Sequence, residues 1–186
     1  MEKKTYDPTE YDPIEQRKIK PKIEDILPIY LDGDNLIHAL DFIAFLREYK
    51  MNPGWRSPNS WCVNYKGKVV VYIKLGKAAY LNSESDFWQM VFQSHFNDEC
   101  KEMFNERFKE IARSKIRYCN CCTDFKCAPG VQASILGKEL DKNICCHMSL
   151  IFNNPDAEEV KCIKMLTTSC KESIIKKLGD KNENII

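Results

Sequence analysis

The stretch Ser60-Trp-Cys-Val-Asn-Tyr-Lys-Gly-Lys-Val-Val-Val-Tyr-Ile-Lys-Leu-Gly76 decides the fold class of this 186-residue chain. Trp61, Val63 and Tyr65 alternate with Cys62 and Asn64; Val69, Val71, Ile73 and Leu75 alternate with Val70, Tyr72 and Lys74; Lys66-Gly67 lies between the two runs. Period-two alternation on both sides of a two-residue turn predicts a β-hairpin. One of its faces buries Val and Ile, and the other presents aromatic and polar groups. Gly76 breaks the second strand, and Ala78–Leu81 reads as a third. The preceding Asn52-Pro-Gly-Trp-Arg-Ser-Pro-Asn-Ser60 reads as a turn-rich loop.

Outward from the hairpin the apolar period changes to that of a helix. Leu36, Ala39, Leu40, Ile43 and Leu46 predict a helix over about 35–49, with Asp34 as its N-cap. His38 and Asp41 share a face of it and read as solvated or capping polar residues. Two further helices are expected, over about 85–95 and 97–115. The first carries Phe87, Trp88, Val91 and Phe92; the second starts at Asn97 and carries Cys100, Met103, Phe104, Phe108, Ile111 and Ala112. This aromatic stripe reads as core, and Cys100 as a small buried hydrophobe. Strands over 131–136 and 144–152 follow. A last helix is expected from Asn154-Pro155-Asp156, with Val160, Ile163, Leu166 and Cys170 on its apolar face and Cys162 off that line.

Residues 1–30 hold Pro8, Pro13, Pro21 and Pro28, so they read as an extended N-terminal arm, pinned by Tyr6, Tyr11 and the Ile23–Ile26–Leu27 group. The element order predicts an α+β fold: an antiparallel sheet covered by helices, with a cysteine-rich metal-binding loop. The arm then precedes a single domain, 31–186, that contains the cysteine loop 119–146.

Charge gives no global reason for a nucleic-acid or membrane partner, since 28 Lys and Arg face 27 Asp and Glu, a net +1. No apolar run approaches the roughly 18–20 residues of a membrane span. The N-terminal Met-Glu-Lys-Lys-Thr-Tyr-Asp-Pro has no apolar stretch behind its lysines, so a cytoplasmic protein is expected. In that reducing compartment, ten clustered cysteines point to metal or thiol chemistry rather than to a disulfide framework.

Six of the ten lie between 119 and 146. Cys119 and Cys122 have the C-x2-C spacing that turns two thiolates toward one tetrahedral ion, and Cys127 adds a third sulfur. Strand parity sets Ile144, Cys146, Met148, Leu150 and Phe152 on one apolar face and Cys145, His147, Ser149 and Ile151 on the other. Cys145 or His147 then becomes the fourth ligand. The preferred set is Cys119, Cys122, Cys127 and Cys145, with Cys121, Cys146 and His147 as alternates. Zinc suits such a donor set and would staple a loop that lacks apolar content. An iron–sulfur cluster is the alternative cofactor, although the plant-type C-x4-C-x2-C order is reversed here. Free thiols packed in a core are the simpler account of the same residues.

The vicinal pairs Cys121/Cys122 and Cys145/Cys146, flanked by Lys115, Arg117, Lys126 and Lys142, support a second reading as a thiol-based redox protein or enzyme. Against it, no C-x-x-C opens a helix after a strand. Nucleic acid ranks third. Residues 107–142 hold eight basic against four acidic side chains, yet Tyr118 and Phe125 are too few for a stacking platform. Gly-rich phosphate loops, nucleophile elbows and paired-histidine metal motifs are absent, which favours a non-enzymatic protein. A small-molecule pocket is conceivable where Trp55, Trp61, Tyr65, Tyr72 and Trp88 meet, although aromatic residues at such positions more often close a core.

The order of Asn52-Pro-Gly-Trp, Ser60-Trp-Cys-Val-Asn-Tyr-Lys-Gly-Lys68, Cys119…Cys127, Ile135-Leu-Gly-Lys-Glu139 and Phe152-Asn-Asn-Pro-Asp-Ala157 resembles a family of small, cysteine-rich bacterial proteins. The resemblance covers roughly residues 35–178. It implies a bacterial cytosolic protein and brings no reaction, ligand or catalytic residue with it. The expected function is a metal-binding module with structural zinc that senses or binds a ligand.

Overall fold

The computed structural model describes residues 13–77, 86–93, 102–118, 134–139 and 149–183. Expectations that fall elsewhere lie outside the described residues: the anchors Tyr6 and Tyr11, the strand at 78–81, the start at Asn97, and Cys100.

The hairpin forms as its alternation requires. Strand β2 (Ser60–Tyr65) pairs antiparallel with β3 (Lys68–Lys77). Lys66 and Gly67, at φ +47° and +76°, make the two-residue turn between them. Both central residues sit at positive φ, the geometry whose twist matches the flanking strands. One detail departs from strict alternation. The register shifts between Val63 and Asn64, which pairs Val69 with Asn64. Val70 is the extra residue of this bulge, and it takes the buried place expected for Val69.

The stretch 52–60 is not all loop. Pro53–Ser57 forms strand β1, which pairs with β2 across a two-residue turn at Pro58-Asn59. Its proline heads an edge strand, where the missing N–H interrupts no inner ladder.

The helix expected over 85–95 is instead a strand. Asp86–Phe92, β4, runs antiparallel between β3 and the strand Leu150–Asn153. Phe87, Trp88, Val91 and Phe92 fit helical spacing, but they fit equally a strand buried on both faces. Residues 87–92 are all buried, so no polar alternation was available to reveal the strand.

The helix expected over 97–115 is shorter. Asn105 is extended (φ −69°, ψ 164°), and its Oδ1 accepts from the Phe108 amide at 2.8 Å, starting α4 at Glu106–Ser114. Asparagine holds a helix start better than a helix interior. The strand expected over 131–136 reduces to Ser134–Ile135 (β5). It pairs with Lys138–Glu139 (β6) as a separate small hairpin, with 131–133 outside the described residues. Leu150–Asn153 is β7, so the main sheet has the order β1-β2-β3-β4-β7, antiparallel throughout. Residues 144–148 of the expected longer strand lie outside the described residues.

Pairing carries a row across the sheet from Trp55 through Trp61, Ile73 and Met90 to Phe152. On the same face lie Val63, Val71, Leu75, Trp88, Phe92 and Leu150. From Trp61 onward this face is buried, and four helices contribute to its core: α4, through Ile111 and Ala112, and three more. These three are α2 (Ile23–Tyr30), α3 (Gly33–Glu48) and α5 (Ala157–Glu183). Helix α3 follows Asp32, two residues before the expected cap; Phe42 is fully buried, while Leu40 is exposed. Helix α5 is capped by Asp156, whose Oδ1 accepts from the Glu159 amide at 2.8 Å. Asn154, the expected cap, turns back to β4: its Oδ1 accepts from the Trp88 amide, and its own amide donates to the Trp88 carbonyl, each at 2.9 Å.

Residues 13–30 are helical rather than an extended arm. Helix α1 (Pro13–Ile19) precedes α2, whose Ile23, Ile26 and Leu27 are fully buried. The docking is polar as well as apolar. Trp61 Nε1 donates to the Pro21 carbonyl at 3.1 Å. Buried Gln16 exchanges two hydrogen bonds with Asn59: its Nε2 donates to Asn59 Oδ1 (3.1 Å), and its Oε1 accepts from the Asn59 amide (2.9 Å). Asn59 Nδ2 donates to the Tyr30 hydroxyl, and the Asn59 carbonyl accepts from the Leu75 amide, each at 2.9 Å. Asn59 also sits at φ +56°, a conformation asparagine tolerates better than most residues. Asn59→Ala, which strands the buried Gln16 amide, is therefore expected to cost about 2 kcal/mol or more in urea unfolding. Asn59→Gly deletes the same amide while tolerating the positive φ and is expected to lose less; a fully stable Asn59→Ala would show that the side-chain amide contributes nothing.

Candidate functional site

The cysteine segment is closed at its base by backbone pairing. Ile116 bridges to Leu150, the Arg117 amide donates to the Ser149 carbonyl (2.9 Å), and the Ile151 amide donates to the Lys115 carbonyl (3.0 Å). The chain thus leaves the sheet beside β7 and returns into β7. Between these points the β5–β6 hairpin is tied to α4 through Arg113 Nη2, which donates to the Leu136 carbonyl at 2.6 Å. Cys119, Cys121, Cys122, Cys127, Cys145, Cys146 and His147 lie outside the described residues. Among the described residues, no group of three or more His, Cys, Asp or Glu is placed to hold a metal ion. The strand parity used for residues 144–152 does hold where it is described, since Leu150 and Phe152 are fully buried on the helix-covered face.

The five aromatic residues expected around a pocket divide between the two sheet faces. Trp61 and Trp88 are fully buried in the core, and Trp55 and Tyr65 pack against it. Tyr72 belongs to the other face, in the row Gly54–Cys62–Tyr72–Val91–Ile151. Their aromatic area is therefore used mainly to close the core. A cavity of about 380 Å³ lies elsewhere, between the end of α2 and the start of α3, with Asp32, Asn35 and Asn154 among its lining residues. It brings one carboxylate and two amides together, but no nucleophile. Asp41 and His38 do not meet there: Asp41 accepts from Lys164 Nζ on α5 at 2.7 Å and serves helix packing.

The face opposite the helices carries a cluster that sequence reading missed. A second row, Ser60–Lys74–Gln89–Asn153, runs beside the Tyr72 row. Gln89 Nε2 donates to Asn153 Oδ1 at 2.8 Å. The Arg56 guanidinium stacks over the Tyr72 ring, 4.5 Å from its centroid. Burial lowers the Lys74 pKa, and the positive charges of Arg56 and Arg117 lower it further. Among the described residues, no carboxylate forms an ion pair with any of these three cations. Charge density along the sequence singled out Arg117 within the basic stretch 107–142 but gave no signal of Arg56 or Lys74, which come from separate chain segments.

Burial raises the pKa of two described thiols, Cys62 and Cys162. Cys62 donates to Asn64 Oδ1 at 3.5 Å, and its pKa is raised because burial outweighs the opposing influence of Arg56. Cys162 is buried between α4 and α5, which explains its place off the sheet-facing line; its thiol donates to the Phe108 carbonyl at 3.5 Å. Burial first, then Glu159, pushes its pKa up to about 12 from an ordinary 9.0. An unfolded chain ionises this thiol near 9 whereas the folded chain keeps it neutral, so the native state loses stability as pH rises from 9 toward 12. Urea titrations of the parent protein and Cys162→Ala across that window are expected to converge as pH rises; parallel curves would contradict the assignment.

Comparisons of this chain with protein-family models, with curated proteins and with solved structures found no match.

Proposed function

We propose that this chain is a non-enzymatic binding module whose cysteine segment is stapled by one structural zinc ion, held by Cys119, Cys122, Cys127 and Cys145. Cys121, Cys146 and His147 are the neighbouring donors that would substitute for one of the four. The observation that carries this reading is the pairing of Ile116 with Leu150. Cys119 stands three residues beyond one partner, and Cys145 five residues before the other. With so few residues of tether on each side, covalent reach allows both ends of the donor set to meet at a single ion. The C-x2-C spacing supplies two thiolates from one turn, a pattern suited to zinc. An ion bound there adds folding free energy to a segment poor in apolar residues. The same tethering serves the second reading, in which Cys121/Cys122 and Cys145/Cys146 exchange disulfides, and an iron–sulfur cluster would draw on the same sulfurs.

Elemental analysis of protein purified without a metal-affinity tag, paired with an absorbance spectrum and a free-thiol count, separates these readings. About one zinc per colourless chain, lost together with thermal stability in Cys119→Ser or Cys122→Ser and kept in Cys162→Ala, is the expected result. Metal-free protein with ten titratable thiols overturns it, and so does iron with visible absorbance. Metal-free protein with fewer free thiols also overturns it, in favour of disulfide exchange.

A further inference from the structure

We propose that the cavity between α2 and α3 binds a small hydroxylated amine, with Asp32 as the counter-ion of its ammonium group. At about 380 Å³ the cavity has the size of a small-molecule site, roughly 300–1,000 Å³. The backbone of the link between the helices explains its chemistry. Leu31 and Asp32 are both extended (φ −129° and −133°), and successive side chains of an extended chain point to opposite sides. Leu31 enters the core, which leaves Asp32 exposed along the cavity. Asp32 holds the N-cap position of α3, yet its carboxylate makes no capping hydrogen bond. An N-cap aspartate ordinarily accepts from an amide of the first turn. This one is left to serve the cavity that it lines.

The helix end beside Asp32 adds to the same preference. Pro28 and Ile29, in the last turn of α2, line the cavity, and helix carbonyls point toward the C-terminal end. The final bond of the helix runs from the Leu31 amide to the Leu27 carbonyl at 2.9 Å, so the two later carbonyls receive no amide from the helix itself. A helix C-terminus and a carboxylate both favour a positive charge. One carboxylate is too little for a divalent metal ion, which gathers about six or more oxygens, whereas an ammonium group offers three donors of its own. Hydroxyl groups on the ligand suit the amides of Asn35 and Asn154 and the Tyr30 phenol. Two of these are already held in place: the Tyr30 hydroxyl accepts from Asn59 Nδ2, and Asn154 Oδ1 accepts from the Trp88 amide, each at 2.9 Å. Walls fixed in advance lower the ordering cost of binding. The inference rests on the reading of this chain as a binding module, but the cavity shares no residue with the proposed zinc donors.

Backbone amide NMR with glucosamine and ethanolamine, against glucose and ethylene glycol as their neutral counterparts, tests the proposal. Saturable shift changes centred on residues 29–35 and 154 are expected with the amines, and binding about fivefold or more weaker with the neutral compounds, in line with loss of a charge-assisted hydrogen bond. Asp32→Asn should remove that preference while leaving the melting temperature unchanged, because its exposed carboxylate caps nothing. Protein that carries no zinc yet shows these shifts would end the metal reading and support this one. Three results would overturn the proposal: no saturable shifts with either amine at millimolar concentration, equal affinity for amine and neutral counterpart, or equal binding by the parent and Asp32→Asn.

Discussion

The Lys66–Gly67 turn fixes the register of β2 against β3, and through it the side of the sheet on which each later side chain falls. A slip of one residue in a strand exchanges its two faces. Trp61, Ile73, Met90 and Phe152 form a continuous buried row only in the observed register. The same register sends Tyr72 and Lys74 to the opposite side. Core packing and the placement of Tyr72 and Lys74 are thus two results of one backbone constraint. The bulge at Val70 lets the strand meet it without burying Asn64, which remains exposed.

A second constraint operates at Asn59. Its backbone and side chain together hold α1, α2 and β3 to a single two-residue turn. The buried amide of Gln16 is satisfied there, which makes residues 13–30 part of the folded unit. Proline-rich sequence concealed this, because Pro13 and Pro28 stand at the start and in the last turn of short helices, where loss of an amide donor is tolerated at a start and disrupts little helix beyond an end.

Sequence periodicity is informative where one face is buried and the other wet. The hairpin and the sheet-facing side of α5 meet that condition, and both are legible. Strand β4 does not, being buried on both sides, and its apolar run imitates a helix. Cap positions were displaced for a different reason. Asn105 and Asp156 bond helix amides, whereas Asn154 serves a strand; spacing alone cannot tell these uses of a short polar side chain apart. The aromatic residues suggested a pocket, yet the strand pleat assigns Trp61 and Trp88 to the core and Tyr72 to the other face. Arg56 and Tyr72 became a pair only once the strands were aligned. The proposed zinc ligands, by contrast, rest on local cysteine spacing alone and lie outside the described residues.

The bridge between Ile116 and Leu150 gives the chain a modular character. The segment leaves and re-enters the molecule at adjacent backbone positions, so the sheet experiences it as a closed excursion, anchored partway by buried Leu136. Closure entropy grows slowly with loop length, about 0.6 kcal/mol for each doubling. Residues between Arg117 and Ser149 can therefore lengthen, shorten or change donor chemistry while the strand pairs that bury Met90 and Phe152 keep their register. The sheet thus serves as a fixed socket from which the cysteine segment departs and to which it returns.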